Sequence, residues 1–209
     1  MARAKLLKMD EGSIRRAAEI VSDGGLVAYP TDTVYGLGCN PFNPTAVGKL
    51  VKAKRRLRGG LPVLVDCSET AKELGQFNPV AVQLANNFWP GGLTLVVPSA
   101  SEFPREVSSE GLIGLRVPNR EDTLRLIRGC SSSLVGTSAN ISGMPAATTA
   151  DEVLTSLGEE IDVVLDGGPC KSGKESTVVR VTSEGCLVLR EGAISIESIL
   201  RYCPIVESE

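Results

Sequence analysis

The side chains that could do chemistry fall in six short segments. The most charged is Lys-Ala-Lys-Arg-Arg-Leu-Arg at 52–58, where five of seven residues are basic. Such a run can hold phosphate or RNA, or it can be a solvated helix end, where cations also suit the dipole. The residues alone leave both readings open. On an extended segment Lys54 and Arg56 would point the same way. PTDTVYGLGCN, 30–40, offers Thr hydroxyls and glycines that let a backbone approach a ligand closely, although a polar turn explains its composition better. It lacks the spacing of a P-loop. GTSANISG, 136–143, could hold phosphate or ribose oxygens, or form a hydrogen-bonded turn. The glycine-rich stretch 166–179 reads as a lid or a plain surface loop, and LREGAIS, 189–195, puts Arg190 at a strand end. WPGGLTL, 89–95, holds the only Trp and reads as a structural turn.

What is missing narrows the chemistry. The chain has no histidine, which excludes a Ser-His-Asp triad, a Cys-His pair and a histidine-ligated metal. Acid–base work would need a shifted Lys, Cys, Asp or Glu, or the substrate itself. The six cysteines form no CxxC pair, so a structural zinc site is not expected. Phosphoryl and nucleotidyl transfer rest on positioning and charge neutralisation and need no histidine. The net charge of −3 confines any affinity for RNA or phosphate to a local patch. No aromatic residue interleaves the basic run, so a stacking platform for single-stranded RNA is not supported. The N-terminus has no apolar signal core and no stretch approaches membrane-spanning length. The expectation is a soluble cytoplasmic protein with reduced thiols.

These segments need strands and helices to position them. Residues 10–23 read as a helix with Ile14, Ala17, Ala18 and Val21 on one face, ended by Gly24-Gly25. Asn43-Pro44 reads as an N-cap and first helical residue, with the helix running to about Lys54. Ser68 and Asn119 read as caps of helices, the second reaching about Arg128, and Pro79 opens a helix through Phe88. Thr149 and Glu152 form a capping box, and Ser195 opens a last helix. Apolar runs at 26–29, 62–65, 93–97, 113–117, 133–137, 162–165, 176–182 and 186–190 read as strands. Strand and helix alternate without repeats or a linker. The expected fold is α/β, one domain over 1–209 with a twisted mixed sheet and flanking helices. Ligands of open α/β sheets sit at the loops after strands, where these segments lie.

In this order the segments resemble the YrdC-like family, the L-threonylcarbamoyladenylate synthases. The motifs stand as PTDTVYGLG (30–38), Lys54-Arg55-Arg56, WPGGLT (89–94), Arg116-Val117-Pro118, TSAN (137–140), DGGP and ESTV within 166–178, and LREGAIS (189–195). The resemblance covers nearly the whole chain and matches the short, single-domain form. It implies a fold shared with dihydroxybutanone phosphate synthase, built around a basic cavity. It also implies synthesis of L-threonylcarbamoyladenylate from L-threonine, bicarbonate and ATP, with release of pyrophosphate and with Mg²⁺ as the expected ion. The product would pass to the tRNA threonylcarbamoyl-transfer machinery.

Carried over by motif, Lys54, Arg56, Ser138 and Asn140 would surround ATP and carry catalysis, and Arg190 would meet the nucleotide. Thr33, Arg116 and Ser176 would contact threonine. The metal ligands stay unassigned. The chain departs from the family pattern at Leu57, where Pro is usual, and in the loop Arg58-Gly59-Gly60, which is one residue short. Leu64 stands near a position where many relatives carry histidine, and WPGGLT replaces WPGPLT. Two other functions draw on the same features. One is a translation or RNA-processing factor that holds double-stranded RNA or tRNA without catalysis. The other is a sugar-phosphate lyase, whose family chemistry leans on a metal-site histidine that this chain lacks.

Overall fold

The computed structural model describes residues 3–55 and 60–206. The chain opens with β1 (Lys5–Lys8), α1 (Glu11–Ser22), β2 (Val27–Tyr29), β3 (Gly36–Gly38) and α2 (Pro44–Ala53). It continues through β4 (Val63–Val65), α3 (Ser68–Leu74), α4 (Pro79–Phe88), β5 (Leu93–Pro98), β6 (Ser108–Ser109), β7 (Leu112–Arg116) and α5 (Glu121–Gly129). It closes with β8 (Ser133–Val135), β9 (Thr137–Ser138), α6 (Ala150–Leu157), β10 (Val163–Asp166), β11 (Thr177–Val181), β12 (Cys186–Arg190) and α7 (Ile196–Leu200).

Local chemistry sets the helix ends. Asp10 accepts from the Ser13 N–H at 2.8 Å and starts α1. Asn43 accepts from Thr45 and Ala46 N–H groups, with Pro44 first in α2. Thr149 and Glu152 close the capping box of α6. Two expected caps are corrected. Ser68 is already helical, and Cys67 takes the cap position without a side-chain bond. Arg120, not Asn119, precedes α5, and the Asn119 N–H instead donates to Asp32 Oδ1 at 3.1 Å.

The mixed α/β architecture is as expected, but among the described residues it holds two mixed sheets where the pattern read as one. The first has the order β1-β10-β2-β3-β9, and the second β12-β11-β5-β7-β4-β8, with β6 beside β7. The apolar run 133–137 splits at Gly136. Ser133–Val135 pairs with β4, whereas Thr137–Ser138 pairs with β3 in the other sheet. A Cβ at Gly136 would run into the Leu64 side chain, so only glycine lets the chain cross here. Gly36–Gly38, read as loop, is a strand, because Tyr29 packs where side chains at both glycines would stand.

The seven-stranded sheet works by alternation. Leu93, Leu95, Val97, Ile113, Leu115, Val63, Val65 and Val179 are buried in the main apolar core with α2, α3 and α4 residues. The alternate positions Thr94, Val96, Leu112, Gly114, Arg116, Leu64 and Val178 face a cavity instead. A second apolar cluster joins α1 and α5 to β2, β10, β4 and β8. Both faces are thus engaged, one by packing and one by a site.

Candidate active site

The cavity measures about 880 Å³. The seven-stranded sheet forms its floor, and Thr31–Gly36, Thr137 and Ser138 bring the other sheet to its wall. Thr33, Lys54, Arg116, Ser138, Asn140, Ser176 and Arg190 all line it, so every described residue of the predicted set converges. Arg56 lies outside the described residues, as does Arg58.

Lys54 sits at the C-cap of α2 and is 4% exposed. Its ammonium donates to the carbonyls of Ser138 at 2.6 Å and Asn140 at 3.0 Å, which fixes the TSAN segment against the helix end. It has no ion-pair partner among the described residues. Burial pushes its pKa down to about 8, and the nearby Glu175 charge opposes that shift. One ammonium hydrogen remains for a ligand. The helix ends at Lys54, as expected, and Arg55 turns the chain with a left-handed φ of 59°, its N–H donating to Lys52 O at 2.9 Å.

Arg116 at the end of β7 is also buried but fully braced. Its Nε donates to Gly91 O at 2.8 Å, Nη1 to Thr33 Oγ1 at 3.0 Å and Nη2 to Asp32 Oδ1 at 2.6 Å. Burial lowers its pKa, and the Asp32 carboxylate works against that. Two of its five N–H groups stay uncommitted among the described residues. Thr31 donates to Val34 O at 2.7 Å, which leaves Thr33 to donate to Thr31 at 2.9 Å. The hydroxyl chain therefore runs one way, from Arg116 through Thr33 and Thr31 to a carbonyl, and Thr33 offers only a lone pair to a ligand.

At the other rim Arg190 donates to Glu175 Oε2 at 2.9 Å and to Ser176 O at 3.0 Å. Ser176 Oγ shares a hydrogen bond of 2.9 Å with Thr94 Oγ1. The Asn140 amide donates to Ile141 O at 3.2 Å and Met144 O at 2.5 Å, while its buried Oδ1 has no partner among the described residues. The adjoining Tyr35 donates to Gly168 O at 2.9 Å, and burial with the nearby Asp166 charge pushes its pKa up to about 12, so it stays a neutral donor.

Sequence reasoning missed Asp32, Thr94 and Glu175. Thr94 carried a readable signal, since it is the polar residue in the alternation Leu93-Thr94-Leu95. Trp89 is structural, as expected, donating to Leu93 O at 2.7 Å and meeting Phe77 edge-on at 6.0 Å. Among the described residues no group of three or more His, Cys, Asp or Glu side chains could hold a metal ion. Nor is any described helix long and apolar enough to cross a membrane.

The sequence and the fold both match known proteins. Residues 19–192 match the family Sua5/YciO/YrdC, described as Telomere recombination. The chain is 37% identical over 200 residues to threonylcarbamoyl-AMP synthase of Pyrococcus abyssi, covering 92% of this chain and 57% of that protein. It is 36% identical over 198 residues to threonylcarbamoyl-AMP synthase of Bacillus subtilis, with the same coverage of 92% and 57%. It therefore spans little more than half the length of these relatives. The crystal structure of P. abyssi Sua5 complexed with L-threonine superposes with a TM-score of 0.88 at 34% identity, over 99% of this chain and 62% of that one.

Proposed function

The chain belongs to the Sua5/YciO/YrdC family, and on that footing we propose that it is a nucleotidyltransferase that makes L-threonylcarbamoyladenylate from L-threonine, bicarbonate and ATP. The observation that carries this reading is the convergence of the seven described candidate site residues on one cavity, with two buried cations in it. A relative of the same fold binds L-threonine.

In this reading Arg116 takes the amino acid's carboxylate with its two free N–H groups, and Thr33 and Ser176 meet its polar atoms. The amine joins bicarbonate to give a carbamate and water. A carbamate oxygen then attacks the α-phosphorus of ATP, and the bond to the β-phosphate breaks to release pyrophosphate. Lys54, Arg56 and Arg190 neutralise the phosphate charge, so no protein nucleophile is needed.

Asn140 has a sharper role than a generic phosphate contact. Both its amide hydrogens are engaged, so it presents an oxygen. A phosphate oxygen cannot donate to it, whereas a ribose hydroxyl can. The unpartnered oxygen also fits Mg²⁺, which binds hard oxygens and keeps water and phosphate as its other ligands. When bound, that ion would offset charge on the phosphates. We assign the activity to the cytoplasm, with transfer to tRNA as the fate of the product.

The test is mass spectrometry of what forms from ATP, bicarbonate and each amino acid in turn. Threonylcarbamoyl-AMP with threonine supports the synthase. No adenylate and no pyrophosphate, with tRNA binding that falls steeply with salt, would instead favour an RNA-binding factor.

A further inference from the structure

One charge in the cavity has no part in that scheme. Among the described lining residues Glu110 and Glu175 are the carboxylates, and Glu175 faces the nucleotide-side cations. It lies 2.9 Å from Arg190, and its charge acts on Lys54. Asp32 is different, because it braces Arg116 from a position outside the cavity lining.

The backbone under Glu175 is held firmly. Its carbonyl accepts from the Ala193 N–H at 2.8 Å, and the Thr177 N–H donates to Gly92 O at 2.9 Å. A Cβ at Gly192 would run into the Glu175 carbonyl and the Ser176 backbone, so the tail packs directly on this segment. The carboxylate is 35% exposed at the cavity mouth and is held there by Arg190, not by the backbone. A triphosphate approaching Arg190 meets a carboxylate already there.

We infer that Glu175 is a tethered anion that occupies, in the nucleotide-free cavity, the place a phosphate takes on Arg190, so that ATP binds by exchange with it. This rests on the reading of Arg190 as a nucleotide contact. Before ATP arrives, the carboxylate keeps the charge at the mouth compensated. It then weakens ATP binding and, by returning to Arg190, favours departure of pyrophosphate.

The experiment is calorimetric titration of ATP without amino acid into the wild type, Glu175→Gln, Arg190→Ala, the double variant and Glu110→Gln. Glu175→Gln keeps the shape and removes the charge. It should tighten ATP binding roughly fivefold or more. Most of that gain should vanish in the Arg190→Ala background, as a double-mutant cycle would report. Glu110→Gln should stay within about twofold, because Glu110 pairs with neither cation. Unchanged or weaker ATP binding in Glu175→Gln would make the carboxylate a mere brace for Arg190 and overturn the inference. An equal gain with and without Arg190 would reduce it to a general field effect, which also overturns it. A wild type that binds no ATP defeats the synthase reading and this inference together, whereas binding with an inert Glu175→Gln defeats this one alone.

Discussion

Two buried cations divide the cavity, and they are held in opposite ways. Arg116 is 5% exposed and has a carboxylate at 2.6 Å, a hydroxyl and a carbonyl. Lys54 is 4% exposed and, among the described residues, bonds only two carbonyls. The first charge is compensated inside the protein and is therefore oriented before any ligand comes. The second has no ion-pair partner among the described residues, and the nearby Glu175 charge acts on it only at a distance. Fixed geometry suits recognition of a carboxylate, and an uncompensated charge suits binding of phosphate.

Neutralising each cation breaks this comparison most directly. Lys54→Met should cut pyrophosphate release by roughly a thousandfold, the scale of losing a group that stabilises transition-state charge. It should change stability by less than about 1 kcal/mol, since relief of a buried charge without an ion pair offsets the two hydrogen bonds lost at Ser138 O and Asn140 O. Arg116→Met should lose comparable activity but destabilise by about 3–5 kcal/mol, because Asp32 is left without its partner. Urea unfolding of the two variants checks the difference in size. Equal destabilisation would show that both cations are structural.

The pH dependence sharpens the same contrast. Burial holds Lys54 near pKa 8, below its ordinary 10.5. Bound phosphate favours the charged form and raises that value, so ATP binding takes up protons and weakens as pH rises through about 8. The folding cost of the buried charge has the matching sign. It is full below pH 8 and is relieved between about 8 and 10.5, where the unfolded chain holds more protons than the folded one. Calorimetry in buffers of different ionisation enthalpy measures the uptake, and Lys54→Met should abolish it.

Asp32 acts through Arg116 and gives a smaller effect. Asp32→Asn keeps a hydrogen-bond acceptor but removes the charge that braces the guanidinium. Threonine KM should rise about tenfold with kcat changed less, on the scale of losing support for a binding group. Glu at this position should recover part of the loss if the charge is what matters. A change confined to kcat would instead place Asp32 at the reacting atoms.

Much of the scaffold was readable from local chemistry. Asn43-Pro44, Pro79 and Thr149 with Glu152 satisfy backbone groups within a few residues, so they report their helices directly. Gly36–Gly38 did not announce a strand, because glycine is depleted in strands and the reason for it here is Tyr29, a residue on the neighbouring strand. Asn119 stands one residue before the cap position that Arg120 takes, and its N–H goes to Asp32, 87 positions away. The site divides the same way. Motif order pointed to Lys54, Arg116, Asn140 and Ser176, but the pairing of Asp32 with Arg116 and of Glu175 with Arg190 depends on how the strands are laid side by side, which no local pattern encodes.

The smallest expected effect tests the register of the basic run. Arg55 is exposed, and its left-handed φ of 59° turns the chain out of α2 just after Lys54. Arg55→Ala removes a charge but leaves a Cβ in the same backbone region, so stability should change by less than about 0.5 kcal/mol. Pyrophosphate release should stay within about twofold, because a solvent-facing charge adds steering and little else. Arg55→Gly should gain roughly 0.5–1 kcal/mol, since glycine accepts positive φ without the Cβ penalty. Lys54 and Arg55 are adjacent and equally cationic, so composition cannot separate them. Their difference is wholly one of direction, into the cavity or out to water. If Arg55→Ala were as damaging as Lys54→Met, the cavity-facing position would be assigned one residue off, and the contrast between compensated and uncompensated cations would fall with it.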